Sequence, residues 1–159
     1  MSLPVAKQIA WISLVPQLAF MAFLMAAYYV MGTEQFVIFG AGTYLTISNL
    51  LRFLALKDHN KAVKSLKAGE FQDAIPAFQS SYDFLNGYPW IDKYRYLILL
   101  SSSKISFREM ALNNIAFCYS QSGEGEKAIS YYKRMFAEYP DSDLAKAALN
   151  FIAAIQKDH

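Results

Sequence analysis

The chain has 159 residues and a formal net charge of +2, with 55% hydrophobic and 16% aromatic residues but only 18% charged. Soluble domains average about 25% charged, and a balance this close to neutral carries no electrostatic footprint for nucleic acid. A single cysteine, Cys118, excludes an internal disulfide framework and suits a reducing compartment.

The charge deficit is concentrated at one end. Between Lys7 and Arg52 the only charged residue is Glu34, whereas Arg52 to His159 holds 14 of the 15 basic and 12 of the 13 acidic residues. Gln8 to Thr33 is free of charge, longer than the roughly 20 residues that a helix needs to cross a hydrocarbon core. Pro16 falls inside it, which a membrane helix tolerates when neighbouring groups re-satisfy the freed carbonyl. A second uncharged stretch, Gln35 to Leu51, extends to Leu56 if Arg52 snorkels to the interface. We expect spans over about 8–31 and 36–56, joined by a tight turn near Met31–Gln35. A cleaved signal peptide fits less well, because its apolar region is usually about 7–15 residues and no second apolar stretch follows it.

Arg52, Lys57, Lys61, Lys64 and Lys67 follow the second stretch, Lys7 precedes the first, and the turn carries only Glu34. The positive-inside rule then puts both termini in the cytoplasm of a two-pass protein. Ala19, Ala22 and Ala26 recur at helical spacing in the first span, and Gly40, Thr43 and Ile47 line the second, with Gly42 and Thr46 beside them. Small residues let helices approach in lipid, so packing of one span on the other is the expected use. Contact with another protein is the alternative. Neither span carries a central ionisable group, so transport has no support.

The remainder is expected to be helical, making the whole chain all-α. Apolar residues recur every three or four positions over Met110–Tyr119, Ala128–Phe136 and Leu144–Ile155. Ser106-x-x-Glu109 has the form of a capping box, and Gly123 ends that helix. Pro140-Asp141-Ser142 separates the next two. Pro76 inside an earlier helical pattern predicts a bend or a late start.

Leu112, Ile115-Ala116, Tyr119, Gly123, Ala128, Tyr132 and Pro140 fall at the offsets of the 34-residue tetratricopeptide pattern. Here the chain resembles tetratricopeptide-repeat proteins, in particular the bacterial kind whose repeat closes on Ala-Ile-x-x-Tyr and Tyr-Pro-x-Ser. A weaker copy precedes it, with Gly69, Glu70, Ala74 and Phe78 matching Gly123, Glu124, Ala128 and Tyr132. It departs at Lys61-Ala62, at Ser65 for Tyr, and at Asn86 for Pro. The two glycines are 54 residues apart, one period plus an insertion of 20. The resemblance covers about 60–157, so with the apolar stretches we expect a transmembrane hairpin over 1–57 and a repeat domain over 58–159. The latter divides into a weak repeat 58–86, an insertion 87–106, a clear repeat 107–140 and a closing helix 142–157.

That family binds protein segments in the groove lined by its first helices. The matching positions are Met110, Asn113, Phe117, Ser120 and Gln121 in the clear repeat, and Leu56, His59, Val63, Leu66 and Lys67 in the weak one. Asn114 falls where chaperone-binding members carry a clamp asparagine, but His59 and Val63 stand where the clamp's other residues would, against a carboxylate clamp. The insertion carries Trp90, Tyr94, Tyr96, Leu97, Ile98, Leu99 and Leu100 beside Lys93 and Arg95, an apolar patch of the kind that marks contacts. The repeat stack's open end, lipid or a partner would bury it. We expect Tyr94–Leu100 to form a short helix packed on the repeat, leaving Trp90 at its rim, because two repeats leave an apolar end uncovered.

Catalytic chemistry finds little footing. His59 and His159 with one cysteine make no zinc set, and Gly40-Ala41-Gly42 and Gly123-Glu124-Gly125 are not phosphate loops. Glu70/Asp73, Glu124/Glu126 and Asp141/Asp143 all sit at helix starts, where they complement the dipole. Ser101-Ser102-Ser103 has the composition of a loop, and Cys118 that of an inert buried thiol. We expect neither an enzyme nor a metal, cofactor or small-molecule site. Two functions remain: a bacterial inner-membrane adaptor offering its repeat to a protein partner, or a structural subunit of an integral-membrane complex held through its spans.

Overall fold

A computed structural model describes residues 11–148 and Asn150, and its regular elements are helices. A 3-10 turn Trp11–Ser13 leads into α1 (Leu14–Val30) and α2 (Phe36–Ala55). They are followed by α3 (Lys57–Ala68), α4 (Phe71–Gly87), α5 (Pro89–Lys93), α6 (Arg95–Ile98), α7 (Phe107–Gln121) and α8 (Gly125–Glu138). Residues 143–148 are again helical. The chain divides into two compact units. One holds residues 11–57 with Pro89–Lys104, the other Asp58–Tyr88 with residues 105–148.

In the first unit α1 and α2 form an antiparallel pair. The turn between them closes by Gly32 N–H to Tyr29 O at 3.0 Å and Thr33 N–H to Tyr28 O at 3.1 Å, with Gly32 at φ +77°, where a side chain is strained. Close approach is set by Gly40: a Cβ there would lie 2.8 Å from the Met25 Cα. Tyr28 and Thr43 share a hydroxyl hydrogen bond of 3.0 Å nearby. The side of α2 bearing Gly40 and Thr43 therefore faces α1, as its small residues predict. Ala19, Ala22 and Ala26 do not reciprocate. All three are exposed, which corrects the expectation that they line the same contact; α1 presents Met25 and Tyr28 instead. Among the described residues only α2 has the length and composition of a membrane-crossing helix, α1 being shorter at 17 residues. Gln8 to Ala10, where the first span was expected to begin, lie outside the described residues.

The α2 helix does not run on into α3. Leu56 takes φ −114° and ψ 25°, and its N–H still bonds Arg52 O at 3.0 Å, so the break is a single residue.

In the second unit α3–α4 and α7–α8 are two helix pairs built on the same turn. Gly69 and Gly123 sit at φ +80° and +78°, and each pair's second helix begins after a glutamate of matching backbone, Glu70 (φ −83°, ψ 66°) and Glu124 (φ −94°, ψ 61°). The cross-turn hydrogen bonds also match, Glu70 N–H to Ser65 O at 3.0 Å and Glu124 N–H to Tyr119 O at 2.9 Å. Ala62, Leu66, Ala74, Phe78, Leu112, Ile115, Cys118 and Met135 fill one core between them. Ala116 and Ala128 are buried where α7 and α8 meet. Ser106 caps α7 as its sequence predicts, its Oγ accepting from Glu109 N–H at 3.0 Å.

Pro76 causes no late start, since α4 begins at Phe71 and continues to Gly87. The carbonyl deprived of a partner is that of Gln72, and Gln72 and Pro76 both face solvent, where water replaces the lost bond. The weak repeat also closes on Tyr-Pro: Tyr88 ends α4 at φ −127°, ψ 63°, and Tyr139 ends α8 at φ −134°, ψ 66°, each followed by proline. A strict offset hides this, because α4 is one turn longer than α8.

Candidate functional site

The groove positions of the second unit fall into two groups. Val63 and Phe117 are half-buried against the core, Met110 and Gln121 are half-buried, and Lys67 and Ser120 are exposed. His59, Asn113 and Asn114 are buried, at 6%, 4% and 8% exposure. Those three side chains are interior, which corrects their placement on an open face. The His59 ring lies edge-on to Phe78 and to Phe107, with centroids 5.5 Å from each, and its Nδ1 is 3.4 Å from Ser81 Oγ. Burial with so little polar compensation pushes its pKa down to about 4, so His59 is neutral at physiological pH. Leu56 and Leu66 are buried as well.

What stays open is the turn end. A shallow depression of about 390 Å³ is lined by Gly69, Glu70, Phe71, Gln72, Asp73, Gln121 and Ser122. Phe71 and Phe117 meet edge to face at 6.0 Å beneath that end, and Gln72 Nε2 donates to Glu124 Oε1 at 3.0 Å across the two turns. Glu124 also receives Lys127 Nζ at 2.5 Å. The Gln72 and Lys127 hydrogen bonds hold its carboxyl below the ordinary carboxylate range.

At the opposite ends of the helices lies a charged knot. Tyr82 Oη donates to both Glu138 oxygens at 2.7 and 2.8 Å, Arg108 and Arg134 pair with Glu138 at 3.2 and 3.0 Å, and both guanidinium groups lie over the Tyr82 ring. It ties α4, α7 and α8 together through one shared carboxylate, which makes it a clamp. Glu109 similarly spends its carboxylate on the Ser142 hydroxyl, while Ser142 Oγ accepts Ala145 N–H at 3.1 Å to start the closing helix. Cys118 is fully buried, and burial pushes its thiol up to about 11, the inert state expected of it.

The insertion behaves differently from expectation. A short helix does form, Arg95–Ile98, but Pro89–Lys104 groups with α1 and α2, and α6 packs against α1. Packing on the repeat is therefore corrected. The physical reason lies in Arg52. Its Nε donates to Leu99 O at 3.0 Å and its Nη2 to Leu100 O, carbonyls that a helix would otherwise have satisfied. Leu100 sits at φ +47°, where the chain turns out of α6. Trp90, Tyr94 and Leu97 are exposed and Tyr96 is half-buried, its ring under the Arg95 guanidinium at 4.8 Å. Nothing in the sequence pairs Arg52 with residues 47 positions away.

Compared with family models, curated proteins and solved structures, the chain matches none.

Proposed function

We propose that this chain is a membrane-anchored adaptor: α1 and α2 cross the bilayer as a two-pass hairpin with both termini cytoplasmic, and a tetratricopeptide-like repeat offers a binding surface for a protein segment. One observation carries the anchor. All but three of the exposed large hydrophobics among the described residues, the exceptions being Phe84, Tyr88 and Phe136, belong to the hairpin unit. A water-soluble unit of that size would expose patches far beyond the few hundred Å² that monomers tolerate. The repeat reading is supported by the duplicated Gly-Glu turn and Tyr-Pro ending. The partner surface is then the turn end, with Lys67, Phe117, Ser120 and Gln121 around the Gly69–Asp73 depression.

Photo-crosslinking from native membranes tests this reading. A crosslinker at Gln121 is expected to capture a protein that one at Lys133, on the exposed side of α8, does not. Equal capture at both sites would remove the proposed surface. Topology is tested with Glu34→Cys, expected to react with an impermeant thiol reagent from outside, over a low background because Cys118 is buried.

The second reading, a structural subunit held by its spans, draws on the outward Ala19, Ala22 and Ala26. They offer another membrane helix a close seat. Co-migration with an integral protein in mild detergent that is abolished by Ala22→Leu would favour it.

A further inference from the structure

From the hairpin unit's exposed aromatics and the Arg52 clasp, we propose that the insertion Pro89–Lys104 is a lipid-interface collar, lying in the cytoplasmic headgroup layer around the open end of the hairpin. The inference rests on the membrane reading of α1 and α2 given above.

Both tryptophans of the chain, Trp11 and Trp90, belong to the hairpin unit, and both are exposed, at 78% and 53%. The Met31–Gln35 turn closes one end of the α1–α2 pair. Trp11 and Arg52 mark the other, Arg52 lying about 24 Å along α2 from Phe36. Arg52 holds Leu99 and Leu100 there, so the insertion sits at that same end. Within it, Trp90 in α5, Tyr94 between the two short helices and Leu97 in α6 are each exposed, while Ile91, Leu99 and Leu100 are buried. Tryptophan and tyrosine concentrate at the bilayer interface because their rings are apolar and their polar tips stay wet. Lys93, Arg95 and Lys104 against Asp92 alone give the segment the sign that suits an anionic headgroup layer.

Backbone satisfaction is the second argument. Irregular chain that dips toward the hydrocarbon is costly unless its carbonyls are bonded internally. Here two guanidinium groups take five of them. Arg52 holds Leu99 O and Leu100 O, and Arg95 holds Asp92 O at 3.0 Å, Ser103 O at 3.0 Å and Lys104 O at 2.7 Å. The segment's carbonyls are thus bonded within its own unit, with Trp90, Tyr94 and Leu97 left exposed. A partner protein would also cover these side chains, but Arg52 fastens the segment to the end of a hairpin that the membrane reading places at the bilayer surface, and its basic excess suits anionic headgroups.

The full chain in vesicles of phosphatidylcholine and phosphatidylglycerol, with bromine at defined acyl depths, tests the collar through two single-tryptophan variants. In Trp11→Phe, the remaining Trp90 is expected to emit to the blue of water-exposed tryptophan, to be quenched by shallow bromines and to be shielded from acrylamide. In Trp90→Phe, Trp11 is expected to behave likewise. Adding Arg52→Gln to Trp11→Phe is expected to remove the lipid quenching of Trp90. Retention of that quenching would overturn the role of the clasp. Trp90 open to acrylamide while Trp11 is lipid-quenched would overturn the collar and leave the anchor standing. So would Trp90 shielded from both quenchers. If neither tryptophan is lipid-quenched and the protein fails to float with the vesicles, the membrane reading falls, and the collar with it.

Discussion

The hairpin and the repeat unit bring helices together by opposite means. In α1–α2 the contact is backbone on backbone: Gly40 admits Met25 so closely that a Cβ would meet its Cα at 2.8 Å, and the buried residues of α2 are Gly40 and Ser48. In α4, α7 and α8 the contact is made by filled volume, with Phe78, Leu112, Ile115 and Met135 at no more than 1% exposure. The α1–α2 pair keeps most of its large apolar side chains outside, whereas the repeat unit keeps most of its own inside. The difference is the one that the proposed membrane reading of the hairpin requires. Burial in water is driven by expelled apolar area, whereas helices in lipid gain only from close fit and hydrogen bonds.

The contrast is broken most directly by removing one phenylalanine from each unit. Phe78→Ala deletes a ring at 0% exposure and is expected to destabilise the repeat unit by about 3–5 kcal/mol. Phe23→Ala, at 66% exposure, is expected to change the stability of the hairpin unit by no more than about 0.5 kcal/mol. Hydrogen exchange with mass spectrometry, on the full chain in mild detergent, reads both units in one sample. A large loss of protection from Phe23→Ala would mean that the hairpin has a core of the ordinary soluble kind.

Acid separates the units next. The pKa of His59 is lowered in the fold to about 4, against an ordinary 6.5, so the unfolded chain takes the proton first. The contribution is complete above about pH 6.5, is lost as pH falls toward 4, and levels off below that, for a total on the order of 3 kcal/mol. Protection of α3, α4 and α7 is expected to fall over this window, with α1 and α2 unchanged, and His59→Gln to flatten the response. An imidazole that titrates near 6.5 by NMR would show that the ring is not held between Phe78 and Phe107.

Helix contacts sharpen the comparison at a smaller scale. Gly40→Leu is expected to force α1 from α2 at a cost of about 1–3 kcal/mol, and Ala128→Leu to overpack the α7–α8 contact by a similar amount. At Gly42 an added Cβ meets nothing within 4 Å, and Gly42→Ala is expected to be silent. A silent Gly40→Leu, read by the same exchange experiment, would dissolve the distinction between the two kinds of contact.

Much of this was legible in the residues themselves because it is local. The charge-free stretches, the Gly69 and Gly123 turns, the Ser106 cap and the helices over Ala128–Phe136 and Met110–Tyr119 depend on neighbours a few positions away. What was not legible depends on a third element. Ala19, Ala22 and Ala26 have the same periodicity whether they face a helix or look outward, and only the register against Met25 and Gly40 decides. His59 sits at a groove offset, yet Phe107 from another helix closes over it. The insertion's apolar run required a cover, and pattern alone could not name Arg52 as the residue that fastens it. Of the positions expected by offset in the candidate site, Lys67 and Ser120 are exposed and Gln121 is half-buried. The site's buried part was not foreseen, since offsets carry no depth.

The smallest expected effect concerns helix ends. Ser106 caps α7 through Glu109 N–H, while α1 and α2 start at Ser13 and Gln35 without a side-chain cap. A cap matters where the first N–H groups must otherwise find water or stay unpaired, and its loss costs about 1 kcal/mol. Ser106→Ala is therefore expected to destabilise the repeat unit by about that amount. The effect has a local signature, because Glu109 also holds the Ser142 hydroxyl. Faster exchange is expected at the first turn of α7 and, to a lesser degree, at residues 143–148. Gln35→Ala is expected to be neutral, since the start of α2 lies beside the turn, where water or headgroups supply the partners. If Gln35→Ala costs as much as Ser106→Ala, the end of α2 is dry and enclosed by protein, and the hairpin is closer in kind to the repeat unit than its exposed surface suggests.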